Sequence, residues 1–330
     1  MHRKILSTIV ASWVCLCFLA TPALAVEKIS VGLGSISAMH GDTWVASAQG
    51  YFKKYGLEPE EIYIQGGPTA MSGLLADSIQ YLVTDGAAPV GADLKGADAV
   101  IVASAMNQGI QRLMARPDLK SPKDLVGKRV GVTRIGTSSY NVLWIMCEKW
   151  GVPFDKVHVL QVGSSTAMLA SLAKGGIDAA VLTLPSFFAA EDRGYRLLGD
   201  AATMGINTLH QVLVVRRGYL NVHQDQVTRF LKAYIQGIAY FKQTKEESLA
   251  VLKRKLGQRG QGEYLDRSYN LLAKDYEKTP YPSIDGAKTI LRFLAEEYPR
   301  AKEADPKTFI DDSIVKNLDK SGFIENLYRK

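Results

Sequence analysis

Short β-rich runs alternate with helical stretches over residues 26–207, and this alternation limits the possible folds more than any other feature. Such a pattern is typical of a largely parallel sheet whose faces are covered by helices, so we predict an α/β protein. The predicted strands are Ile29–Gly34, Leu57–Ile64, Tyr81–Thr84, Val100–Ala105, Arg129–Thr133, Val157–Val162 and Ala179–Leu182. The predicted helices begin near Thr43, Thr69, Ala87, Ser139, Thr166 and Pro185.

The pattern changes after Val222, where apolar residues recur at helical spacing with charged residues on the opposite face. This spacing predicts a helical C-terminal extension of amphipathic helices and no further strand. The residues that define the first of these helices are Val227, Phe230, Leu231, Tyr234 and Ile238.

A late β-rich run, His210–Val215, follows the alternating region. Paired with Gln111–Ala115, it would form two strands that link two lobes. We therefore predict one discontinuous lobe made of residues 26–115 and 209–330, and a second lobe made of residues 116–208. The cleft between the lobes is the expected binding site, and it would open by rotation about the crossings at 106–116 and 207–215.

The N-terminus has the features of an export signal. Arg3 and Lys4 precede an apolar stretch, and small residues end at Ala25, so residues 1–25 are predicted to be a cleaved signal peptide. A membrane anchor is the alternative, but the stretch is short for a spanning helix. The mature protein would be soluble and periplasmic, and Cys147 would be its only cysteine, which precludes an intrachain disulfide.

Composition argues against several classes of function. The net charge is +7, but basic and acidic residues are interspersed, as in 242–256, so no nucleic-acid partner is predicted. The chain lacks the Gly-x-Ser-x-Gly, phosphate-loop and His-Glu-x-x-His motifs, so we predict that it is not an enzyme. The histidines are scattered, so no metal site is expected. We also expect no cofactor, and we expect the protein to be a monomer.

Three segments carry a resemblance to a known family. The segment WVASAQGYFKKYGLEPE (44–60) is similar to the first helix and second strand of the nitrate/sulfonate/bicarbonate-binding family of importer proteins, which includes thiamine-precursor binders. The segments beginning SPKDLVGKRVGVTRIGTSSYN (from 121) and AMLASLAKGGIDAAVLTLPSFF (from 167) resemble that family's second lobe. The sequence departs from the family at Asp77-Ser78-Ile79-Gln80, where the family commonly has a Gly-acidic-Ile-Asp pattern.

The resemblance implies a type II periplasmic-binding-protein fold and a role as the solute-binding component of an ABC-type importer. Its partners would then be a membrane permease and an ATPase. The ligand would be a small molecule such as a sulfonate, nitrate, a related organic anion or a pyrimidine-like heterocycle. Two alternatives remain open: a sensory subunit that binds ligand without transport, and an enzyme on the same fold that acts on a thiamine or menaquinone precursor.

Candidate ligand-binding residues follow the predicted strands, because parallel sheets bind ligands beyond the carboxyl ends of their strands. In the first lobe, Trp44 could stack on a ligand or pack between helix and sheet, and Asp85 could bind a positively charged or donor-rich group or simply cap its helix. The candidates in this lobe are Ser37, His40, Trp44, Gly67, Pro68, Thr69, Asp85 and Gly86.

In the second lobe, three consecutive hydroxyl residues join a strand to the start of a helix. This arrangement offers hydroxyls and free backbone amides to an anion or a carbonyl oxygen, and it exceeds what capping alone needs. The candidates are Gly136, Thr137, Ser138, Ser139 and Tyr140, together with Pro185 at a helix start and Asn207 near the returning strand.

Overall fold

The computed structural model describes residues 26–257 and 262–329 and contains two five-stranded sheets. The predicted signal peptide, residues 1–25, lies outside the described residues. The strands are β1 (Glu27–Leu33), β2 (Leu57–Tyr63), β3 (Tyr81–Thr84), β4 (Ala99–Gln108), β5 (Arg112–Ala115), β6 (Arg129–Val132), β7 (His158–Gln161), β8 (Ala179–Leu182), β9 (Arg196–Asp200) and β10 (Asn207–Arg216).

Helices surround both sheets and form the whole region after β10 within the described residues, apart from an isolated bridge between Ile101 and Ile310. The helices are α1 (Gly41–Ala48), α2 (Tyr51–Lys54), α3 (Gly67–Leu75), α4 (Ala87–Asp93), α5 (Ser138–Trp150), α6 (Ser165–Ala173), α7 (Ser186–Asp192), α8 (Arg217–Val222), α9 (Gln224–Gln243), α10 (Lys245–Leu256), α11 (Leu265–Asp275), α12 (Ile284–Leu294), α13 (Ser313–Lys320) and α14 (Phe323–Asn326). Among the described residues, no helix is both long and apolar enough to cross a bilayer.

The two sheets have the same internal plan. The first has the order β2-β1-β3-β10-β4 and the second β7-β6-β8-β5-β9. Strands β1, β2 and β3 are parallel, as are β6, β7 and β8, whereas β10 and β5 run antiparallel to their neighbours. In each sheet the fourth strand, β10 or β5, is the first strand that the chain forms after it crosses from the other sheet.

The chain crosses between the sheets twice, at residues 109–111 and 201–206. The predicted pairing of 210–215 with 111–115 is wrong, because β10 pairs with β3 and β4 while β5 pairs with β8 and β9. Strand β5, which our division assigned to the first lobe, therefore belongs to the second sheet. The physical reason is that each crossing segment leads directly into a strand, and that strand pairs with the sheet that the chain has just entered.

The central strands are apolar on both faces because helices cover both faces. In β10, Leu213 and Val215 join the core formed with α1 and α9, whereas Val212 and Val214 join the core formed with α3 and α12. Side chains that alternate between two buried faces give a continuous apolar run, as expected for a sheet buried on both sides. A third apolar core lies between the second sheet and α5. Cys147 is buried within this core as a free thiol.

Candidate functional site

A cavity of about 530 Å³ lies between the two sheets. Its walls come from the loops that follow β1, β2 and β3 in the first sheet and β6, β7 and β8 in the second. Gln111 from one crossing and His210 and Gln211 from β10 close its inner side. The cavity therefore occupies the position expected for a ligand, beyond the carboxyl ends of the parallel strands.

The structure brings part of the predicted site together and leaves part of it outside. The predicted residues that line the cavity are Ser37, His40, Gly67, Asp85, Thr137, Ser138, Ser139 and Pro185. The predicted residues outside its lining are Trp44, Pro68, Thr69, Gly86, Gly136, Tyr140 and Asn207.

Packing explains why several predicted residues do not reach the cavity. Trp44 is 4% exposed and lies in the apolar core, with its ring edge-on to His40 at 6.0 Å, so the packing alternative describes it. Tyr140 packs edge-on against Phe154 at 5.4 Å, and Gly86 lies against Leu209.

The other predicted residues outside the cavity lie at its rim or beyond it. Pro68 and Thr69 are exposed, and Thr69 accepts a hydrogen bond from Arg134 Nη1 at 3.2 Å across the cleft. Gly136 makes a turn with φ of 77°, and Asn207 is exposed at the start of β10.

Several cavity residues were missed by the sequence reasoning. Ser164, Ser165 and Thr166 follow β7 and begin α6, which is the same strand-to-helix signal that marked Thr137. No comparable local signal marks Gln111, because it lies in a crossing segment. Further lining residues outside the prediction include Ser35, Gln65, Thr84, Thr133, Thr183, Ser186, His210 and Gln211.

The three hydroxyl residues at the start of α5 have different roles. Thr137 and Ser139 bond to Thr133 Oγ1 at 2.7 and 2.8 Å, and Thr137 also donates to the Arg134 carbonyl at 2.6 Å. Ser138 instead accepts from Gln111 Nε2 at 2.6 Å and lies 3.3 Å from His210 Nδ1. Thr137 and Ser139 thus fix the turn, and Ser138 connects the second lobe to the crossing segment and to β10.

Two buried histidines line the cavity without carrying charge at neutral pH. Loss of hydration lowers the pKa of His40 to about 4 and that of His210 to about 4. His40 Nε2 lies 3.1 Å from Ser35 Oγ, while His40 Nδ1 and His210 Nε2 have no hydrogen-bond partner in the structure. Both rings therefore act as neutral groups that can donate or accept.

Asp85 both caps a helix and lines the cavity. Its Oδ1 accepts from the Ala87 amide at 3.0 Å, and the half-buried residue is part of the cavity lining. Burial against the cavity wall raises the pKa of Asp85 to about 6, and the amides at the helix start oppose that rise. The carboxylate is still mostly ionised at neutral pH.

Asp42 lies behind the cavity wall and is fully buried. It accepts from Gln211 Nε2 and from the Tyr234 hydroxyl, both at 2.7 Å, and from the Thr43 amide at 2.6 Å. Burial raises the pKa of Asp42 to about 6 although these donors favour the ionised form. The carboxylate fixes Gln211, and with it one part of the cavity surface.

The cavity offers hydroxyls, amides, neutral imidazoles and one carboxylate, with Arg134 at the mouth. Within residues 26–257 and 262–329, no group of three or more His, Cys, Asp and Glu side chains is arranged to hold a metal ion. The lining can therefore hold a small organic molecule by hydrogen bonds and by charge contacts to Asp85 and Arg134.

Two α/β lobes with a cavity between them and two crossing segments define a type II periplasmic-binding-protein fold, as the resemblance implied. The crystal structure of the periplasmic aliphatic sulphonate binding protein from Escherichia coli superposes with a TM-score of 0.71 at 20% identity, covering 86% of this chain and 92% of that one. That identity supports the shared fold alone.

The chain belongs to the NMT1/THI5-like family, whose model matches residues 37–248. It is 34% identical over 181 residues to a binding protein of Brucella abortus (strain 2308), covering 54% of this chain and 55% of that one. It is also 30% identical over 128 residues to the taurine-binding periplasmic protein of Escherichia coli (strain K12), covering 38% and 39%. The Brucella match spans about half of each chain's length.

Proposed function

We propose that this protein is the periplasmic solute-binding component of an ABC-type importer. It captures a small organic molecule in the cavity between its lobes and presents the closed form to a membrane permease and its ATPase. The observation that carries the proposal is the cavity itself, whose walls come from strand ends of both sheets beside the two crossings. A ligand that contacts both walls favours the closed arrangement of the lobes.

The relatives support a binding rather than an enzymatic role. The two sequence relatives are named as binding proteins, and one of them is a periplasmic taurine binder. The Escherichia coli structural neighbour is a periplasmic binder of aliphatic sulphonates. Sulfonates therefore belong in a first ligand screen, together with nitrate, aromatic acids, pyrimidines and organic amines.

The test has two stages. Thermal unfolding with each compound identifies ligands, because a molecule that binds only the folded form raises the melting temperature. Small-angle X-ray scattering then follows the protein with its best ligand, and we expect the radius of gyration to fall as the lobes close. A tight ligand that leaves the radius of gyration unchanged would contradict the hinged capture mechanism.

A further inference from the structure

The carboxylate of Asp85 is the unusual group of the cavity. Among the ion pairs of residues 26–257 and 262–329, none involves Asp85. A carboxylate that faces a cavity without a cation carries a desolvation penalty that helix capping does not require, since Asn or Ser caps equally well. The charge is therefore expected to serve a ligand.

The other polar groups of the cavity do not neutralise this charge. His40 and His210 are neutral because burial lowers the pKa of each to about 4. Arg134 is the positively charged residue of the described lining, and it lies exposed at the mouth, where it donates to Thr69. No cationic side chain of the described lining pairs with Asp85, so a cation or N–H donor is left for the ligand to supply.

A glycine packs closely against the carboxylate. A Cβ atom built on Gly67 would lie 3.0 Å from Asp85 Oδ2 and 2.9 Å from Ala88 Cβ, so a side chain there would crowd the oxygen. Gly67 therefore allows the loop after β2 to approach Asp85 while both residues line the cavity.

The size and the apolar part of the lining indicate an organic body. The volume of about 530 Å³ falls in the range typical of sites for organic ligands, and a small inorganic anion would leave most of it to water. Ile36 and Leu256 contribute apolar surface, and Met39 lies near the loop after β8, where its sulfur is 3.6 Å from Thr183 Oγ1.

We propose that the cavity selects organic molecules that carry a protonated or N–H-donating nitrogen, which bonds to Asp85, joined to an apolar body. This inference rests on the proposed solute-binding function and narrows its ligand class. Simple anions such as nitrate or ethanesulfonate are disfavoured, because they would place a negative charge near the carboxylate. A ligand that combines the nitrogen with an acidic group can direct that group to Arg134 at the mouth.

The test compares matched compounds with and without an amino group. The probes are 2-phenylethylamine against 2-phenylethanol and 2-phenylethanesulfonate, and taurine, which carries an amino group, against ethanesulfonate, which does not. Binding is measured by thermal shift and calorimetry at pH 7.5 with wild type and Asp85→Asn. Asn keeps an acceptor for the Ala87 amide and removes the charge.

A matched control separates the charge from the helix cap. Asp305 caps a short helix in the same way, with Oδ1 accepting from the Lys307 amide at 3.0 Å, but it lies outside the cavity lining. Asp305→Asn therefore changes an equivalent cap without changing the site.

The expected result is that each amine binds at least tenfold more tightly than its sulfonate or alcohol counterpart in wild type and in Asp305→Asn. In Asp85→Asn this preference should disappear. Tighter binding of 2-phenylethanesulfonate or ethanesulfonate than of the matching amine overturns the inference. So does a preference for the amines that survives in Asp85→Asn. Either result leaves the solute-binding function intact. If neither these probes nor the compounds of the wider screen bind, the proposed function fails and the inference fails with it.

Discussion

The most informative perturbation removes a contact that joins the two lobes outside the cavity lining. Arg267 lies on α11, in the helical region that follows β10. It forms ion pairs with Glu191 Oε2 at 2.9 Å and Asp192 Oδ1 at 3.0 Å, at the end of α7 in the second lobe. Its guanidinium also lies 4.1 Å from the ring centroid of Phe188. The cavity lies at the other end of α7, where Pro185 and Ser186 contribute to its lining.

The size of the effect follows from the exposure of these groups. Arg267 is 40% exposed and Glu191 26%, so each ion pair contributes roughly 0.2 to 1 kcal/mol. The cation–π contact adds about 0.5 to 1 kcal/mol. Removing all of them with Arg267→Ala should weaken the closed arrangement of the lobes by about 1 to 3 kcal/mol. Since about 1.4 kcal/mol corresponds to tenfold in an equilibrium constant, the apparent Kd should rise by roughly five- to a hundredfold.

Calorimetry with the best ligand of the screen measures this change. Because the ligand-free protein is expected to be open already, its radius of gyration should be the same in Arg267→Ala and in wild type. The control is Arg329→Ala, which removes an exposed pair with Glu325, four residues earlier in the chain, and should leave the Kd unchanged. A Kd of Arg267→Ala within twofold of the wild-type value would refute the view that this contact stabilises the closed form.

Two further predictions concern stability. A Cβ atom on Gly237 would lie 2.4 Å from the Asp42 carbonyl oxygen, so Gly237→Ala should lower the free energy of unfolding by about 1 to 3 kcal/mol in urea. Gly91→Ala, whose nearest neighbour would be 3.8 Å away, should raise it by up to about 1 kcal/mol, and equal effects would contradict the packing argument. The pKa of Asp42 is raised to about 6 by burial, so its contribution to stability is fully present below about pH 4 and is lost as pH rises through 6. The free energy of unfolding of wild type relative to Asp42→Asn should therefore fall by roughly 2 kcal/mol between pH 4 and pH 7, and a difference independent of pH would contradict this assignment.

Local sequence patterns predicted the elements better than their partners. Strands Tyr81–Thr84 and Ala179–Leu182 have the predicted bounds, because a short buried strand flanked by turns can be recognised from its own residues and their neighbours in sequence. Strand β9 was missed because Arg196 and Leu197 lie exposed at a sheet edge and give no apolar run. The pairing of β5 and β10 was wrong because it depends on contacts between segments about a hundred residues apart in sequence.

The sequence predicted which loops line the cavity, but not which of their side chains point into it. The strand-to-helix signal located Ser37, Asp85 and Ser138, since every such loop points toward the same edge of its sheet. The same signal could not show that Trp44 turns into the core, because that depends on the packing of α1 against α9. His210 and Gln211 were missed for a related reason: they lie inside an antiparallel strand that reaches the cavity only through the crossing topology.

That topology also explains how a ligand can control the lobes. His210 and Gln211 lie on β10, just after the second crossing, and Gln111 ends the first crossing. Ser138 of the second lobe bonds to Gln111 and contacts His210, so the cavity wall and the crossing segments share these contacts. Gln211 Nε2 is fixed from behind by Asp42, whereas Gln211 Oε1, His210 Nε2 and Gln111 Oε1 have no hydrogen-bond partner in the structure. A ligand or ordered water that satisfies these three atoms would stabilise the geometry of both crossings at once, since unpaired buried polar atoms each cost about 1 to 3 kcal/mol. Binding and lobe closure are therefore expected to be coupled at the inner wall of the cavity, where the crossings meet the site.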